Sequence, residues 1–385
     1  MHPRRVLSIG NFFSSMHFFL IIYVVTPFLA TFLPDNQTGL VVALGAVGTL
    51  LAFPLMPKLA GKHGVRKTAI IISACIGVAL FVLASQPPFW LAAIALAFVC
   101  GASPFIQYLL DLLLEATGAE PGEMGRVRTA FITAGNIALI LAPLIIAFLL
   151  DGTNEYWRIF FVAGASLAPF ITLLLFEKLP EQPPRHHAKL VESCQCLLQK
   201  ADIRAAIFGN GVLQFFYHLA PFYIPLYLHE VLGMPWSQLG WMFAVMLLPF
   251  VLIEYPAGYI ADRFIAEKEL LIAGFVLTSV AFGALAFVTT HTPIYVIVIV
   301  LVLSRTGSAL VEAMVEGHFF KRVAPEDANT MTLYRMTRPV AALVAPLSAS
   351  ILLALTGSYL IFFITMGVLL LCMGVGSAYF IKDDL

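Results

Sequence analysis

An all-α polytopic membrane protein, built as two pseudo-symmetric six-helix bundles, is the fold this sequence predicts, and three observations carry it. Hydrophobic residues make up 60% of the 385 and charged residues 11%, less than half of the roughly 25% charged share usual in soluble domains. Turn signals divide the chain into twelve apolar runs, each near the roughly 20 residues that cross a bilayer as a helix. A short charged turn follows the second run of each half. It reads Gly258-Tyr259-Ile260-Ala261-Asp262-Arg263 in the second half and, about 200 residues earlier, Pro57-Lys58-Leu59-Ala60-Gly61-Lys62-His63-Gly64-Val65-Arg66-Lys67 in the first.

Taken in order, the runs alternate between acidic and basic connections. The first (6–33) follows Arg4 and Arg5 at once and is long enough to span, so it reads as a retained helix rather than a cleaved signal. Asp35 marks its far end, and the second run (38–57) returns to the basic turn of Lys58, Lys62, Arg66 and Lys67. The third (67–86) and fourth (89–115) lead to Arg126 and Arg128; the fifth (127–150) and sixth (156–177) are joined through Asp151 and Glu155. A polar segment, 178–203, carries Lys178, Pro180, Pro183, Pro184, Arg185, Lys189 and Lys200 and reads as a linker. Beyond it the seventh (204–229) and eighth (236–257) flank Glu230 and end at the second charged turn. The ninth (269–289) and tenth (293–317) lead to Lys321 and Arg322, and the eleventh (328–354) and twelfth (358–381) end near Lys382. Lipid leaves only helices or a closed barrel, and runs of this length without period-two alternation select helices. The Lys and Arg bias places both termini in the cytoplasm; only Arg158, at an outer end, and Arg305, inside the tenth run, depart from it.

The domain division that follows is 1–177 as an N-terminal bundle, 178–203 as a cytoplasmic linker and 204–385 as a C-terminal bundle. Further correspondences support duplication. Leu141-Ala142-Pro143-Leu144 matches Val344-Ala345-Pro346-Leu347, Ile159-Phe160-Phe161 matches Ile361-Phe362-Phe363, and His17 and Gly39 match His218 and Gly240 at nearly one offset. In membrane proteins built from repeats the substrate site is expected where the repeats meet, near mid-bilayer.

Several classes are disfavoured. A net charge of zero offers nothing to nucleic acid. Cys75, Cys100 and Cys372 lie in apolar runs, and Cys194 and Cys196 in the linker, which is no disulfide framework. The linker's His186, His187, Cys194 and Cys196 match no usual zinc spacing; a solvated linker is the better reading, with 188–200 as an amphipathic surface helix. Gly61-Lys62 is followed by His63 rather than Ser or Thr, so it is no phosphate loop, and His-Glu-x-x-His is absent. Nothing filter-like suggests a channel. No enzyme, cofactor or metal site is expected; the partners expected are the lipid bilayer and a small-molecule substrate, with the chain a monomer in the cell (inner or plasma) membrane.

The six-plus-six layout and the paired turns resemble the Major Facilitator Superfamily over the whole chain. Its loop motif is of the type Gly-x-Leu-Ala-Asp-Arg-x-Gly-Arg-Lys. Gly258, Ala261, Asp262 and Arg263 match it, with Ile265 in place of the next glycine; in the first half Leu59, Ala60, Gly64 and Arg66 match, but Gly61 stands where the acid belongs. The resemblance implies that Asp262 helps hold the bundles together on the cytoplasmic side and that spans one, four, seven and ten line the cavity. Gly135 and Ala142-Pro143 fit the proton-coupled antiporters' fifth-span motif only loosely, since Ile145, Ile146 and Ala147 follow.

Polar residues concentrate on those four spans: Asn11, Ser14, Ser15 and His17; Gln107 and Asp111; Asn210, Gln214, Tyr217 and His218; Arg305, Glu312 and Glu316. An ionisable group in hydrocarbon costs roughly 2.5–3.5 kcal/mol on insertion scales, so each calls for a reason. At 100° per residue Arg305, Glu312 and Glu316 form one stripe, with Arg305 about 18 Å from the outer end. The expected substrate and proton residues are therefore His17, Gln107, Asn210, Gln214, Tyr217, His218, Arg305 and Glu312. Glu312 reads either as a proton carrier or as the fixed ion-pair partner of Arg305 or Arg338, and His17 and His218 either as hydrogen-bonded interior histidines or as binding groups. Asp111, Glu254, Asp262, Arg263, Glu316, Arg335 and Arg338 are the expected cytoplasmic gate. The function this implies is secondary active transport of a small organic solute, with protons favoured as coupling ion and efflux slightly favoured. The alternatives are an uptake symporter or facilitator of the same fold, or a non-transporting receptor or scaffold.

Overall fold

In the computed structural model, residues 3–117, 121–177, 179–180, 201–253, 267–323 and 328–381 are described, without the side chains of 121–126, 129, 328, 329 and 332. Among them no strand occurs, and most of them are helical. The first half forms α1 (Pro3–Ile22), α2 (Val25–Ala30), α3 (Asp35–Ala52), α4 (Met56–His63), α5 (Val65–Ala84), α6 (Phe89–Glu115), α7 (Pro121–Leu149) and α8 (Trp157–Phe176). The second forms α9 (Ala201–Leu226), α10 (Trp236–Met246), α11 (Leu248–Leu252), α12 (Glu267–Ala284), α13 (Ile294–Arg322), α14 (Ala328–Thr356) and α15 (Tyr359–Tyr379). Among the described residues ten helical stretches are long and apolar enough to cross a bilayer, with α1 and α2 counted as one and α3 and α4 as another. The two remaining runs expected from sequence are present as α9 and the α10–α11 pair. The protein is a multi-pass membrane protein. Its outward faces carry exposed apolar side chains such as Leu44, Phe148, Phe176 and Leu355, as lipid rather than water requires.

Proline explains where long spans break. Pro27 supplies no N–H to the carbonyl four residues back, and the first span turns at Tyr23 and Val24 between α1 and α2. Pro249 lies in the first turn of α11, two residues after the turn at Leu247 that separates it from α10. The first charged turn differs from expectation, because residues 56–63 are helical. Pro57 occupies the first turn of α4, where its missing N–H costs nothing, and Gly61 is accommodated within the helix, which runs on to Gly64. There φ is 86° and ψ 143°, a backbone region that L side chains avoid. The second charged turn, with Glu254, Asp262 and Arg263, lies outside the described residues, as does the linker with its histidines and Cys194 and Cys196.

Two compact units form. Unit 1 holds α1 to α8, joined by Leu228–Glu230 and Met234–Ala244; unit 2 holds α9, Val231–Gly233 and the chain from Val245 onward. Internally the two share one packing scheme. In unit 1, α1 packs on α6, α7 and α8, α5 on α6 and α8, and α3 on α6. In unit 2, α9 packs on α13, α14 and α15, α12 on α13 and α15, and α11 on α13.

Two details of that scheme are stabilising. The α3–α6 crossing is glycine on glycine: a methyl at Gly101 would lie 2.6 Å from the Gly45 carbonyl oxygen, and one at Gly45 2.6 Å from that of Ala97. Thr49 Oγ1 donates across it to the Gly101 carbonyl at 2.7 Å. The second detail recurs. Arg66, the second residue of α5, donates from Nε to the Leu174 carbonyl and from Nη2 to that of Leu175 at 2.6 Å, so a guanidinium closes the C-terminus of α8. Lys268, the second residue of α12 and 202 positions later, donates from Nζ to the Tyr379 carbonyl at 3.1 Å at the end of α15. Cations are favoured at these carbonyl ends.

Candidate functional site

Polar side chains buried on the first and fourth spans of each unit form two walls, each described within its own unit. In unit 1, Asn11, Ser14, Ser15 and His17 lie on α1 and are buried. Asn11 Nδ2 donates to the Phe131 carbonyl of α7 at 2.8 Å, and Ser15 Oγ donates to Asn11 Oδ1 at 3.3 Å. Gly135 makes this possible, since a Cβ there would lie 3.1 Å from Asn11 Nδ2 and 3.2 Å from Ser15 Oγ. From α6, Gln107 Nε2 donates to Ser14 and Ser15 at 3.3 and 3.4 Å. His17 Nε2 lies 3.2 Å from Ser103 Oγ, which itself donates to the Val99 carbonyl. This wall is neutral and hydrogen-bonding. Asp111, one turn beyond Gln107, is half-buried and has a partner.

The wall in unit 2 is charged. Tyr217 of α9 donates its hydroxyl to Glu312 Oε2 of α13 at 2.6 Å, a length typical of a phenol on a carboxylate. Arg338 of α14 donates from Nε to Gln214 Oε1 at 3.3 Å, and Asn210 Nδ2 donates to Thr337 Oγ1 at 2.8 Å. His218 Nδ1 lies 2.8 Å from the Gln214 carbonyl, one turn back on its own helix. Arg305, only 2% exposed, lays its guanidinium 4.9 Å from the centre of the Phe216 ring, a cation–π contact. An arginine this buried does not face lipid. Further along α13, Glu316 is exposed, and on α14 Arg335 is half-buried; both have partners.

Tyr217 and Glu312 are thus in direct contact, Gln214 is paired with Arg338, and Asn210 is paired with Thr337. His17, Gln107 and Asp111 belong to unit 1 and the other described candidates to unit 2. Sequence reasoning passed over Ser103 and Thr337. Ser103 sits four residues before Gln107 on the same helix face, a spacing that could have flagged it. Thr337 gives no such signal, because its hydroxyl also bonds its own helix at the Tyr334 carbonyl.

A third polar group lies in unit 1 at the ends of the spans. Tyr156 donates to Glu230 Oε1 at 3.5 Å, His229 Nε2 lies 3.1 Å from Asn154 Oδ1, and the His229 ring packs on Trp236 at 4.7 Å. Burial pushes the Glu230 carboxyl above its ordinary value and nearby Asp35 adds to that, while His229 and the Tyr156 hydroxyl oppose it.

Comparison with known proteins agrees with this architecture. The family model described as Major Facilitator Superfamily matches residues 7–238 and 206–384. The uncharacterised MFS-type transporter YcaD of Salmonella paratyphi B is 24% identical over 265 residues, 67% of this chain and 65% of that protein. The chain thus spans about two thirds of the length of that relative, and 59% of an uncharacterised MFS-type transporter of Enterobacter to which it is 26% identical over 240 residues. Among solved structures, a mutant of the nucleoside transporter NupG aligns with a TM-score of 0.78 at 14% identity, covering 98% of both chains. A bacterial homologue of the human lysosomal transporter Spinster aligns at 0.75 and 14%, covering 98% of this chain and 95% of that one. At such identities the likeness is one of fold.

Proposed function

Because the chain belongs to the Major Facilitator Superfamily, we propose that it is a secondary transporter carrying a small organic solute by alternating access, driven by a proton gradient. Glu312 is the proton carrier in this reading. The observation that supports it is the partner Glu312 has: a phenol at 2.6 Å from Tyr217, where a permanent structural acid would be expected to hold a cation. A phenol can donate to the ionised carboxylate and accept from the protonated one, so the pair tolerates both states. The neutral amides and hydroxyls of Asn11, Ser14, Ser15 and Gln107 suit a solute recognised by hydrogen bonds. The aromatic residues of α9, Phe215, Phe216, Tyr217, Phe222 and Tyr223, suit one with an apolar part, which slightly favours efflux over sugar uptake. The proposal places both termini in the cytoplasm and the protein, as a monomer, in the cell membrane.

The test is flux in proteoliposomes under an imposed pH gradient, over a panel of metabolites and drugs, with wild type beside Glu312→Gln. Wild type is expected to accumulate a panel member against its gradient. The variant is expected to lose that accumulation while still exchanging solute for solute. Full gradient-driven flux in the variant would remove Glu312 from the role. A panel in which nothing moves would turn the reading toward a receptor or scaffold on the same fold, which Gly61 in the acid position of the first charged segment already allows.

A further inference from the structure

The second span of unit 1 ends, opposite Asp35, in a concentration of positive charge that the site above does not use. Between Asp35 and Asp111 the chain contains no acid, yet it contains Lys58, Lys62, Arg66 and Lys67. Their settings divide them. Arg66 is committed to the carbonyl end of α8. Lys58 and Lys62 stand one turn apart on one face of α4 and are exposed, as is Lys67 in the first turn of α5. Among the described residues none of these three lysines forms an ion pair, and Asp111, Glu115 and Glu177 have other partners. Gly61 is also exposed on α4, and a Cβ there would meet nothing within 4 Å. The second-half copy of this segment has Asp262 at the corresponding position; here no carboxylate answers the cations.

The same surface is apolar on its membrane side. Helices α3 and α4 form one span-length stretch through the tight turn Phe53–Leu55. Leu51, Leu55 and Leu59 are exposed along it, the first of them by 73%. The other side of α4 is closed, because Met56 and Ala60 are buried and α4 packs on α5. What remains open is a run of leucines in hydrocarbon, followed by cations where the span leaves it. A soluble anion would use the lysines and leave the leucines idle, and a zwitterionic lipid would set its own cation against them. We propose that Lys58, Lys62 and Lys67 bind the headgroup phosphate of an anionic phospholipid, whose acyl chains run along Leu59, Leu55 and Leu51. The lipid belongs to the leaflet on the side that the basic bias assigns to the cytoplasm. Lysine stems lie on apolar surface while their ammonium groups reach the phosphate level, and each such cation adds attraction to an anionic head. Gly61 sets the preference for negative charge, since an acid at that position would cancel one cation of the patch.

The test is native mass spectrometry of the full chain in detergent, titrated with dioleoyl phosphatidylglycerol or with dioleoyl phosphatidylcholine. At roughly five-fold per cation, wild type is expected to bind its first phosphatidylglycerol on the order of 100-fold more tightly than phosphatidylcholine. The double variant Lys58→Gln, Lys62→Gln should bind phosphatidylglycerol about 25-fold more weakly than wild type, with phosphatidylcholine unchanged. Gly61→Asp should lose about five-fold, whereas its uncharged isostere Gly61→Asn should bind as wild type does. Equal affinity of wild type for the two lipids overturns the site, and so does a double variant that keeps the wild-type preference. Equal losses in Gly61→Asp and Gly61→Asn would put the effect on the helix rather than on charge, which also overturns it. Glycerol phosphate, the soluble head without chains, is expected to leave the lipid bound when added in large excess. Its displacement of the lipid would make this a site for soluble phosphates and refute the proposal.

Discussion

Placing a single methyl group at Gly101 should loosen unit 1, and the same change three positions from Gly45 should not. In Gly101→Ala the new carbon would sit 2.6 Å from the Gly45 carbonyl oxygen and 3.2 Å from its carbon, against a comfortable separation of about 3.5–4 Å. The obstacle is backbone, so no side chain can rotate away; α3 and α6 must separate. Overpacking of this kind costs about 1–3 kcal/mol. Separation also stretches the Thr49 hydrogen bond to the Gly101 carbonyl, worth about 0.5–1.5 kcal/mol. Alanine returns roughly 1 kcal/mol in helix propensity, leaving a net loss of about 0.5–3.5 kcal/mol. Gly48 lies on the same α3, but a methyl there meets nothing within 4 Å, so Gly48→Ala keeps the propensity gain and should be neutral or stabilising. Reversible unfolding of the three proteins in mixed detergent micelles, followed by tryptophan fluorescence, measures the difference. If Gly101→Ala unfolds at the same or a higher denaturant fraction than Gly48→Ala, the crossing is not as tight as described and the reasoning fails.

Two further outcomes follow from the structure. Arg66→Gln should lower stability by about 1–2 kcal/mol through loss of the cation at the end of α8, and Lys268→Gln by less than about 1 kcal/mol because its bond is longer and exposed; the same unfolding assay tests this, and a larger loss at Lys268 would contradict it. Glu230 is raised in the folded state, so its contribution is complete below the ordinary value of 4.5 and is lost as pH rises through the folded one. Glu230→Gln should therefore match wild type at about pH 4 and become the more stable protein toward about pH 7; thermal midpoints across that range check it, and a wild type that gains on the variant as pH rises refutes it.

The fold was legible because lipid imposes a severe pattern: twelve apolar runs, basic residues on alternate connections, and matched segments such as Ala142-Pro143 and Ala345-Pro346. The polar residues of α1, α6, α9 and α13 were also legible, since each is an exception in an apolar run. What each touches was not. Hydropathy says that Glu312 and Arg305 lie at depth, but the choice of a phenol for the first and a phenylalanine face for the second depends on how α9 packs on α13. The helical course of Met56–His63 was hidden because charge and glycine content argue for a turn, while backbone geometry needs a glycine only at Gly64. The contacts of His318 with Asp202 and Glu267 were passed over because these residues sit at helix ends far apart in sequence, where charged residues are ordinary. Only the packing of α9, α12 and α13 makes them a group.

The paired attachments of Arg66 and Lys268 have a mechanical consequence. Each unit contains a two-helix plank, α5 with α8 and α12 with α15, riveted at one end through the carbonyls of the later helix. Of these four helices only α8 has an internal proline, whereas α6 and α7 have one each and α9 and α14 two each. Bending during a cycle should fall on the proline-bearing helices, which include those bearing Gln107, Tyr217 and Arg338, while α5, α12 and α15, which have no internal proline, stay straight as the rails against which they flex.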